Sequence, residues 1–403
     1  MTDFFVGRQP IYDRDLNVVG YEILYRKDPI INRAEFSDVD MACSKVLLDT
    51  LVEVGVENLV GSHLAFMNLS NSFLTGNYEI PVPNKQVVVE VLEDVVVDSA
   101  LIERIERLKG QGFTIALDDF IYNEGIKPLL KKANIVKVDI LQLSRHELAE
   151  YVTLLKHHAI KALAEKVETH DDYEYCLRLG FDYFQGYFFC KPKIVQGRTI
   201  PANRLALIQL LAKINSPEVD FRDLSQIIRR DVALSYKVLR LINSAYYSLP
   251  SRVSSIEQAL MYLGLKNLTN LISLIKLAKI DEKPSELTVT AMVRGRMCEE
   301  LAEKLNEHSP QAYFTVGLFS ALDALLDAPM KEVLSLLPLS EEINSALLER
   351  KGRLGEILEA ALAYERADWE KAKVTGLPDE ALKKAYFSAI AWADELSRQL
   401  KEQ

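Results

Sequence analysis

Short apolar runs alternate with longer amphipathic stretches over roughly the first half of the chain. Runs of this kind predict β-strands, and the stretches between them, with apolar positions three and four residues apart, predict helices. Two of these helices have recognisable ends, since residues 98–109 begin at the capping residue Asp98 and residues 171–179 stop at Gly180. The predicted strands are residues 64–68, 87–91, 114–118, 135–139, 161–165 and 182–186. This alternation is typical of an α/β domain.

The residues before these strands predict a hairpin. Two extended runs flank residues 13–17, and the second run carries Glu22. With that run, seven strands recur at intervals of roughly 20 to 45 residues, which suits a (β/α) barrel. A doubly wound open sheet is the alternative. We favour the barrel, because most small α/β domains contain fewer strands.

The strand pattern stops at residues 190–203. That segment holds two prolines, a glycine and several basic residues without an apolar period, so we interpret it as a linker. Beyond it, apolar residues recur three and four apart, which predicts an all-α helical bundle. We therefore predict two domains in the 403 residues, a barrel at residues 1–193 and a helical domain at residues 194–403.

Composition and charge limit the class of protein, its expected location and its expected partners. Hydrophobic residues make up 49% of the chain and charged residues 26%, which is ordinary for a globular protein. A net charge of −10 without a basic tract argues against duplex nucleic acid as a partner. The first ten residues lack a signal-peptide pattern, and no apolar run is long enough to span a bilayer, so we expect a cytoplasmic protein without a membrane span. The four cysteines are scattered and form no CxxC pair, which indicates reduced thiols.

Polar side chains stand at or near the carboxyl ends of seven predicted strands. Because strand residues alternate between faces, Asp118 shares a face with Thr114 and Ala116 and would point into the mouth of a barrel. The same count places these further residues at that end: Glu22, Asn68, Glu90, Lys137, Asp139, Glu165 and Gln185. A single such residue would only mark where a strand leaves the core. Seven strands with this feature indicate a site, because barrel enzymes build their sites at this end.

Several of these residues indicate a metal site. The candidate ligands are Glu22, Asn68, Glu90, Asp118 and Asp119. Four clustered carboxylates repel one another, and oxygen ligands of this kind suit Mg²⁺ or Mn²⁺, so one or two divalent cations would relieve the repulsion. One chemistry suited to such a site is metal-assisted hydrolysis of a phosphodiester, with Lys137 and Arg26 supplying positive charge toward the phosphates.

The order of short motifs gives a more specific indication. They are EILYR at 22–26, NLS at 68–70, EVLE at 90–93, DDF at 118–120, KVD at 137–139, AEKVET at 164–169 and FQGYFFCKP at 184–192. In this order they make residues 5–193 resemble an EAL domain. Members of that family are (β/α) barrels that hydrolyse cyclic di-GMP to the linear dinucleotide with Mg²⁺ or Mn²⁺.

The resemblance implies a role for each matching residue. The residues that would bind metal are Glu22, Asn68, Glu90, Asp118 and Asp119. Lys137 and Glu165 would be catalytic, with Glu165 as the base. The residues that would bind substrate are Arg26, Asp139 and Gln185. Glu93 would anchor the neighbouring loop, and Glu168 would support the base.

Three departures from the EAL pattern bear on turnover. The glycine-rich loop that follows DDF in the family is replaced by residues 121–125, IYNEG, which cannot follow the usual path, because most of the glycines are lost. Lys166 replaces the glycine of AEGVE and puts a long cation near Glu165. After Arg26 the family's tryptophan and proline-containing stretch are missing. We therefore expect a barrel that keeps its metal ligands, with weak or absent turnover.

The helical half resembles an HDOD domain, a helical relative of the HD phosphohydrolases that lacks their metal site. The matching segments are residues 231–247 and 254–272, and beyond residue 325 we expect additional helices of the chain's own. Where catalytic relatives carry adjacent His and Asp ligands, this chain has Ser320 and Ala321, neither of which binds metal in that way. The resemblance implies a non-catalytic module that regulates or binds protein partners.

Three functions stay open at this point. The barrel could be an active cyclic di-GMP phosphodiesterase, a sensor that binds the nucleotide without turnover, or a scaffold for protein interaction that binds no nucleotide. The altered residues 121–125 weaken the expectation of the dimer that EAL domains form, although an oligomer is compatible with the sequence.

Overall fold

The first half of the protein contains eight β-strands in a computed structural model. The structure describes residues 4–27, 55–75, 80, 82–93, 95–119, 125–186, 202–216, 218–229, 232–243, 253, 255–278, 284–374 and 376–401. The strands are β1 (Phe4–Tyr12), β2 (Val18–Lys27), β3 (Leu64–Leu69), β4 (Val87–Val91), β5 (Thr114–Leu117), β6 (Ile135–Asp139), β7 (Lys161–Glu165) and β8 (Tyr183–Gln185). All the strands predicted from the apolar runs are present.

These strands close into a barrel in chain order, which confirms the barrel over the open sheet. Strands β1 and β2 form the predicted hairpin, with Gln9 opposite Glu22. The sequence pattern predicted seven barrel strands, and the structure has eight among the described residues, because the first hairpin strand also takes part. Strand β1 pairs antiparallel with β8 through Ile11 and Gln185, whereas the pairs from β2 to β8 are parallel.

A layer of apolar side chains fills the barrel interior below the strand ends. It consists of Ile11, Phe66, Val88, Ala116, Ile135 and Leu163. The Phe66 ring fits because the neighbouring strand has Gly20, where a Cβ atom would come within 2.8 Å of the ring. Inward-facing positions recur every two residues. The next inward residues after Phe66, Val88 and Leu163 are Asn68, Glu90 and Glu165, which therefore stand on a packed floor.

Helices alternate with the barrel strands, as the amphipathic stretches predicted. They are α1 (Val56–Val60), α2 (Asn71–Thr75), α3 (Ser99–Gly110), α4 (Lys127–Leu130), α5 (Arg145–His157) and α6 (His170–Leu179). Asp98 caps α3 by accepting a 2.8 Å hydrogen bond from the Leu101 amide. Gly180 ends α6 in the left-handed conformation, which a glycine adopts without strain. Both predicted helix ends are confirmed.

The described residues of the second unit form helices and the connections between them, as predicted. Its helices are α7 (Ala202–Ile214), α8 (Phe221–Arg229), α9 (Val232–Ile242), α10 (Ile256–Leu277), α11 (Ser285–Lys304), α12 (Pro310–Phe319), α13 (Leu322–Leu326), α14 (Met330–Ser335), α15 (Glu341–Glu349), α16 (Gly352–Glu365) and α17 (Asp379–Lys401). Helix α10 has a break at Gly264, whose φ of 74° and ψ of 167° are not helical. Helices α11 and α12 approach closely at Gly317, where a Cβ atom would lie 2.5 Å from the Arg294 carbonyl oxygen.

The chain forms two compact units, the first of which spans residues 1–188. Residues 190–201 of the predicted linker, with the boundary between residues 193 and 194, lie outside the described residues, so that boundary stays a prediction. Residues 202 and 203, which were assigned to the linker, belong to helix α7. Within the described part of the chain, no helix has the length and hydropathy needed to cross a bilayer.

Candidate active site

Polar side chains from seven barrel strands meet at one end of the barrel. We call this group the mouth site, and it consists of Glu22, Asn68, Glu90, Asp118, Asp119, Lys137, Glu165 and Gln185. The parallel strands bring their carboxyl ends to the same edge, so Asn68 lies beside Glu90 in the β3–β4 pair. Asp118 and Asp119 follow directly after β5. The residues predicted from strand ends are therefore neighbours in space.

Lys137 lies at the centre of the mouth site. Its side chain is 1% exposed, and its Nζ atom forms ion pairs with four carboxylates. The distances from Nζ are 3.4 Å to Glu22 Oε2, 3.0 Å to Glu90 Oε1, 2.9 Å to Asp118 Oδ1 and 3.0 Å to Glu165 Oε1. Burial lowers the pKa of Lys137, but the four carboxylates outweigh burial and raise that pKa well above its ordinary value. One ammonium thus offsets part of the repulsion among these four carboxylates, which a metal was expected to relieve.

Two amide side chains hold the Glu22 carboxylate in place. The Nδ2 atom of Asn68 donates a 3.2 Å hydrogen bond to Oε1 of Glu22, and the Nε2 atom of Gln185 donates a 2.6 Å hydrogen bond to Oε2. Gln185 also donates a 3.2 Å hydrogen bond to Oε1 of Gln9. Sequence reasoning missed Gln9, and the signal available was its position opposite Glu22 in the predicted hairpin. Gln185 was predicted to bind substrate; in the structure it donates this hydrogen bond to Glu22, and its role toward substrate stays a prediction.

Several oxygen atoms of the mouth site are buried without a hydrogen-bond partner among the described residues. They are Oδ1 of Asn68, Oε2 of Glu90, Oδ1 of Asp119 and Oε1 of Gln185. Buried polar atoms are normally paired, so a cluster of unpaired oxygens needs an explanation. Carboxylate oxygens of Asp118, Asp119 and Glu165 also lie within 4.8 Å of one another. Hard oxygen donors in this arrangement suit a divalent cation such as Mg²⁺ or Mn²⁺.

Four carboxyl groups of the mouth site, those of Glu90, Asp118, Asp119 and Glu165, have raised pKa values and so hold protons more tightly than free carboxyl groups. Burial is the main cause for each of them. It raises the pKa of Glu165 to about 8 and the pKa of Glu90 well above its usual range, although Lys137 opposes both shifts. Burial also raises the pKa values of Asp118 and Asp119. A bound cation would favour the ionised forms, because a metal ligand must give up its proton.

Asp139 and Lys166 form a second ion pair beside the mouth site. The Nζ atom of Lys166 lies 2.5 Å from Oδ2 of Asp139. Asp139 also accepts hydrogen bonds from the Leu141 amide at 2.9 Å and from Nε2 of Gln142 at 3.1 Å. Burial raises the pKa of Asp139, but these three donors outweigh it and lower that pKa overall. Asp139, predicted to bind substrate, is thus engaged by the chain's own groups.

The backbone of Lys166 keeps the conformation expected of the glycine that it replaces. Its φ of 55° is left-handed, as is that of Asp119 at 51°. Non-glycine residues adopt this region at a cost, because their Cβ atom crowds the carbonyl oxygen. The lysine therefore brings a positive charge to a backbone position that glycine adopts without strain.

Fewer contacts are described for the remaining predicted site residues. Glu93 and Glu168 are exposed. The Glu93 carboxylate is close enough to Asp119 to contribute to its raised pKa, after burial and other charges. Arg26 belongs to β2, but its side chain lies outside the described residues, as do Phe120, residues 121–124 and residues 187–192. Their predicted roles stay predictions.

In the helical unit, an arginine contacts Ser320, the residue predicted to stand where catalytic relatives have histidine. Arg294, which is buried, donates a 3.3 Å hydrogen bond from Nη1 to Oγ of Ser320. Ser320 in turn donates a 2.7 Å hydrogen bond to the Gly317 carbonyl. The described residues of this unit contain no cluster of three or more His, Cys, Asp or Glu ligands. The buried positive charge of Arg294 would repel a metal cation bound beside Ser320.

Fold and site together define a two-unit protein with an EAL-type barrel and a helical partner unit. The EAL domain model matches residues 65–192, which begins after Glu22 and Arg26, and the HDOD domain model matches residues 200–367. The cyclic di-GMP phosphodiesterase CdgJ of Vibrio cholerae is 32% identical over 407 residues, covering 99% of this chain and 94% of that protein. The chain belongs to the family of proteins that join an EAL domain to an HDOD domain. The HDOD match extends beyond residue 325, where we expected additional helices of the chain's own.

The chain is also similar to two further proteins. The uncharacterized protein YuxH of Bacillus subtilis is 32% identical over 403 residues, covering 97% of this chain and 98% of that protein. A standalone EAL protein from Vibrio cholerae, solved with cyclic di-GMP bound, is 25% identical, with a TM-score of 0.37, and the match covers 47% of this chain and 92% of that one. The family assignment rests on the sequence relatives.

Proposed function

We propose that the barrel binds cyclic di-GMP together with Mg²⁺ or Mn²⁺ and hydrolyses one of its phosphodiester bonds. The observation that carries this proposal is the set of buried, unpaired oxygens on the adjacent strands of the mouth site. The name of the 32% identical relative, a cyclic di-GMP phosphodiesterase, supports the choice of substrate. A cytoplasmic location, where this nucleotide would be available, is part of the same proposal.

The cation would be held by carboxylate and amide oxygens. The proposed ligands are Glu22, Asn68, Glu90, Asp118 and Asp119. A bound divalent cation lowers the pKa of water and neutralises charge that develops on phosphoryl oxygens. Gln185 and Lys137 act on the ligands, since Gln185 orients Glu22 and Lys137 reduces the repulsion between the carboxylates.

Glu165 is the proposed general base. It accepts a proton from the attacking water while the water oxygen bonds to phosphorus and one bridging P–O bond breaks. The leaving oxygen takes a proton from solvent, which gives the linear dinucleotide. Burial raises the pKa of Glu165 to about 8, near the range in which a base works at neutral pH. Arg26 is the proposed contact to a phosphate of the nucleotide.

A sensor that binds the nucleotide with little turnover is the second candidate. The ion pair between Lys166 and Asp139 favours it, because Lys166 adds a positive charge beside the proposed base and metal ligands. The altered residues 121–125 point the same way. A scaffold without nucleotide binding is the third candidate, and it leaves the unpaired oxygens of the mouth site unexplained.

The helical unit is proposed to be a non-catalytic module that binds protein partners and regulates them or the barrel. The Arg294–Ser320 contact supports this proposal, because it fills the position at which catalytic relatives hold metal ligands. Partner binding through this unit, and an oligomer of the chain, are compatible with it.

The test is to incubate the full chain with cyclic di-GMP and Mn²⁺, measure binding by calorimetry, and separate the products by chromatography. For a phosphodiesterase, we expect linear dinucleotide from the wild type, none from Glu22→Ala, and retained nucleotide binding without product from Glu165→Gln. Binding without product in the wild type would favour the sensor. Absence of binding would contradict both and leave the scaffold.

A further inference from the structure

Two lysines divide the carboxylates at the barrel mouth between them. Lys137 is buried and contacts Glu22, Glu90, Asp118 and Glu165. Lys166 instead contacts Asp139, on the next inward position of β6 after Lys137. The two ammonium groups therefore neutralise different carboxylates at the barrel mouth.

The two lysines differ in how freely they can move. The Lys137 side chain is 1% exposed and surrounded by its partners, whereas the Lys166 side chain is 53% exposed. A buried charge that lost its partners would be costly, but a half-exposed ammonium can exchange a carboxylate for water at little cost. Lys166 is thus the cation of this pair that could leave its position.

Lys166 also acts on the candidate metal ligands. The Lys166 ammonium is held on Asp139, which lies opposite Glu165 in the β6–β7 register. It also acts electrostatically on Asp119 and Glu165. Asp119 and Glu165 belong to the group whose oxygens lie within 4.8 Å of one another. A positive charge held at this place would repel a divalent cation at the same group.

We propose that Lys166 is a tethered cation that opposes the binding of a divalent metal at Asp118 and Asp119, beside Glu165. Anchored on Asp139, its ammonium weakens metal binding there, and release of the ammonium into solvent would allow tighter binding. Lys166 would therefore not bind the metal itself, and its charge would set the affinity of the neighbouring metal site. This inference rests on the proposed metal site of the barrel.

The test is a calorimetric titration of Mn²⁺ into the metal-free full chain and its variants, without nucleotide. Lys166→Met removes the charge and keeps a long side chain, and we expect it to bind Mn²⁺ about tenfold more tightly at the weakest observed site. Lys166→Gly should show the same gain and suits the left-handed backbone, so it serves if the Met variant folds poorly. Lys166→Arg keeps the charge and should resemble the wild type.

The matched control is Lys161→Met, at the opposite end of the same strand, where the lysine contacts Tyr183. It should leave Mn²⁺ affinity unchanged. The gain in Lys166→Met should also shrink in high salt, because the charge is half exposed. Equal Mn²⁺ affinities for the wild type, Lys166→Met and Lys166→Gly would overturn the role of Lys166 and leave the metal site intact. Absence of Mn²⁺ binding in every variant would overturn the metal site itself and this inference with it.

Discussion

Gln185 lies 163 residues after Glu22 in the chain, yet its Nε2 atom donates a 2.6 Å hydrogen bond to the Glu22 carboxylate. The bond links β8 to β2 across β1, which separates them in the closed barrel. Because Glu22 is a proposed metal ligand and Gln185 orients it, the geometry of the mouth site depends on closure of the barrel.

Replacing Gln185 should therefore weaken metal binding. We expect Gln185→Leu to lower Mn²⁺ affinity by about tenfold, because partners that orient a metal ligand typically contribute 10- to 100-fold. Calorimetric titration of the metal-free chain measures the change. The matched control is Gln111→Leu, at the exposed C-terminal end of helix α3. An unchanged affinity in Gln185→Leu would show that Glu22 does not bind the cation or does not need this hydrogen bond.

Removing the ammonium of Lys137 should destabilise the metal-free barrel. Lys137→Met leaves Glu22, Glu90, Asp118 and Glu165 clustered without their shared cation, and we expect a loss of about 3 kcal/mol in the free energy of unfolding. Saturating Mg²⁺ should restore part of the loss, because it neutralises the same carboxylates. Urea unfolding followed by circular dichroism, with chelator and with Mg²⁺, measures both effects.

Lys132→Met is the control for that experiment, since its ion pair with Glu106 is exposed and should contribute less than about 1 kcal/mol. Both tryptophans, Trp369 and Trp392, are in the helical unit. Their fluorescence therefore follows that unit alone. A shift of the tryptophan transition in Lys137→Met would mean that the effect is not confined to the barrel.

The stability of the metal-free barrel should fall as pH rises from about 5 to about 8. Burial raises the pKa of Glu165 from 4.5 to about 8, so between these values the folded state binds a proton that the unfolded state releases. The resulting stabilisation is complete below the unfolded pKa and is lost as pH rises through the folded one, a change of about 5 kcal/mol over the whole range.

The measurement is the urea midpoint of the barrel at pH 6 and pH 8.5 in chelator. Glu165→Gln cannot titrate at this position and should reduce the pH dependence, although Glu90, whose pKa burial raises well above its usual range, leaves a remainder. Saturating Mg²⁺ should also reduce it, because the cation stabilises the ionised carboxylates. A midpoint that rises between pH 6 and 8.5 in chelator would contradict the predicted sign.

Helix packing in the second unit should be sensitive at Gly317. A Cβ atom there would lie 2.5 Å from the Arg294 carbonyl oxygen and 2.6 Å from the Gly295 Cα atom, so Gly317→Ala must push α11 and α12 apart. We expect a loss of about 3 kcal/mol. At Gly264 a Cβ atom meets nothing within 4 Å, and Gly264→Ala should lose only about 1 kcal/mol through its left-handed backbone.

Urea unfolding followed by tryptophan fluorescence measures both glycine variants in the same unit. Gly317→Ala should unfold at the lower urea concentration of the two. Equal losses would mean that the helices adjust at Gly317 without strain.

Local patterns in the sequence determined most of the fold. The period of two in the strands assigned Asn68, Glu90 and Glu165 to the inward face before the barrel was known, because alternation depends only on backbone geometry. The ends of helices α3 and α6 followed from Asp98 and Gly180 for the same reason, since a cap acts within a few residues. The order of the motifs indicated the family.

The tertiary structure alone decided which of these residues contact one another. The sequence placed Lys166 near Glu165, its neighbour in the chain, but the ammonium pairs with Asp139, 27 residues away. It directed Lys137 toward phosphates, but the lysine is buried among four carboxylates. Strand alternation assigns a side chain to a face, whereas its partner depends on strand register and barrel closure, which join residues distant in the chain. That is why the composition of the mouth site was readable from the sequence and its pairing was not.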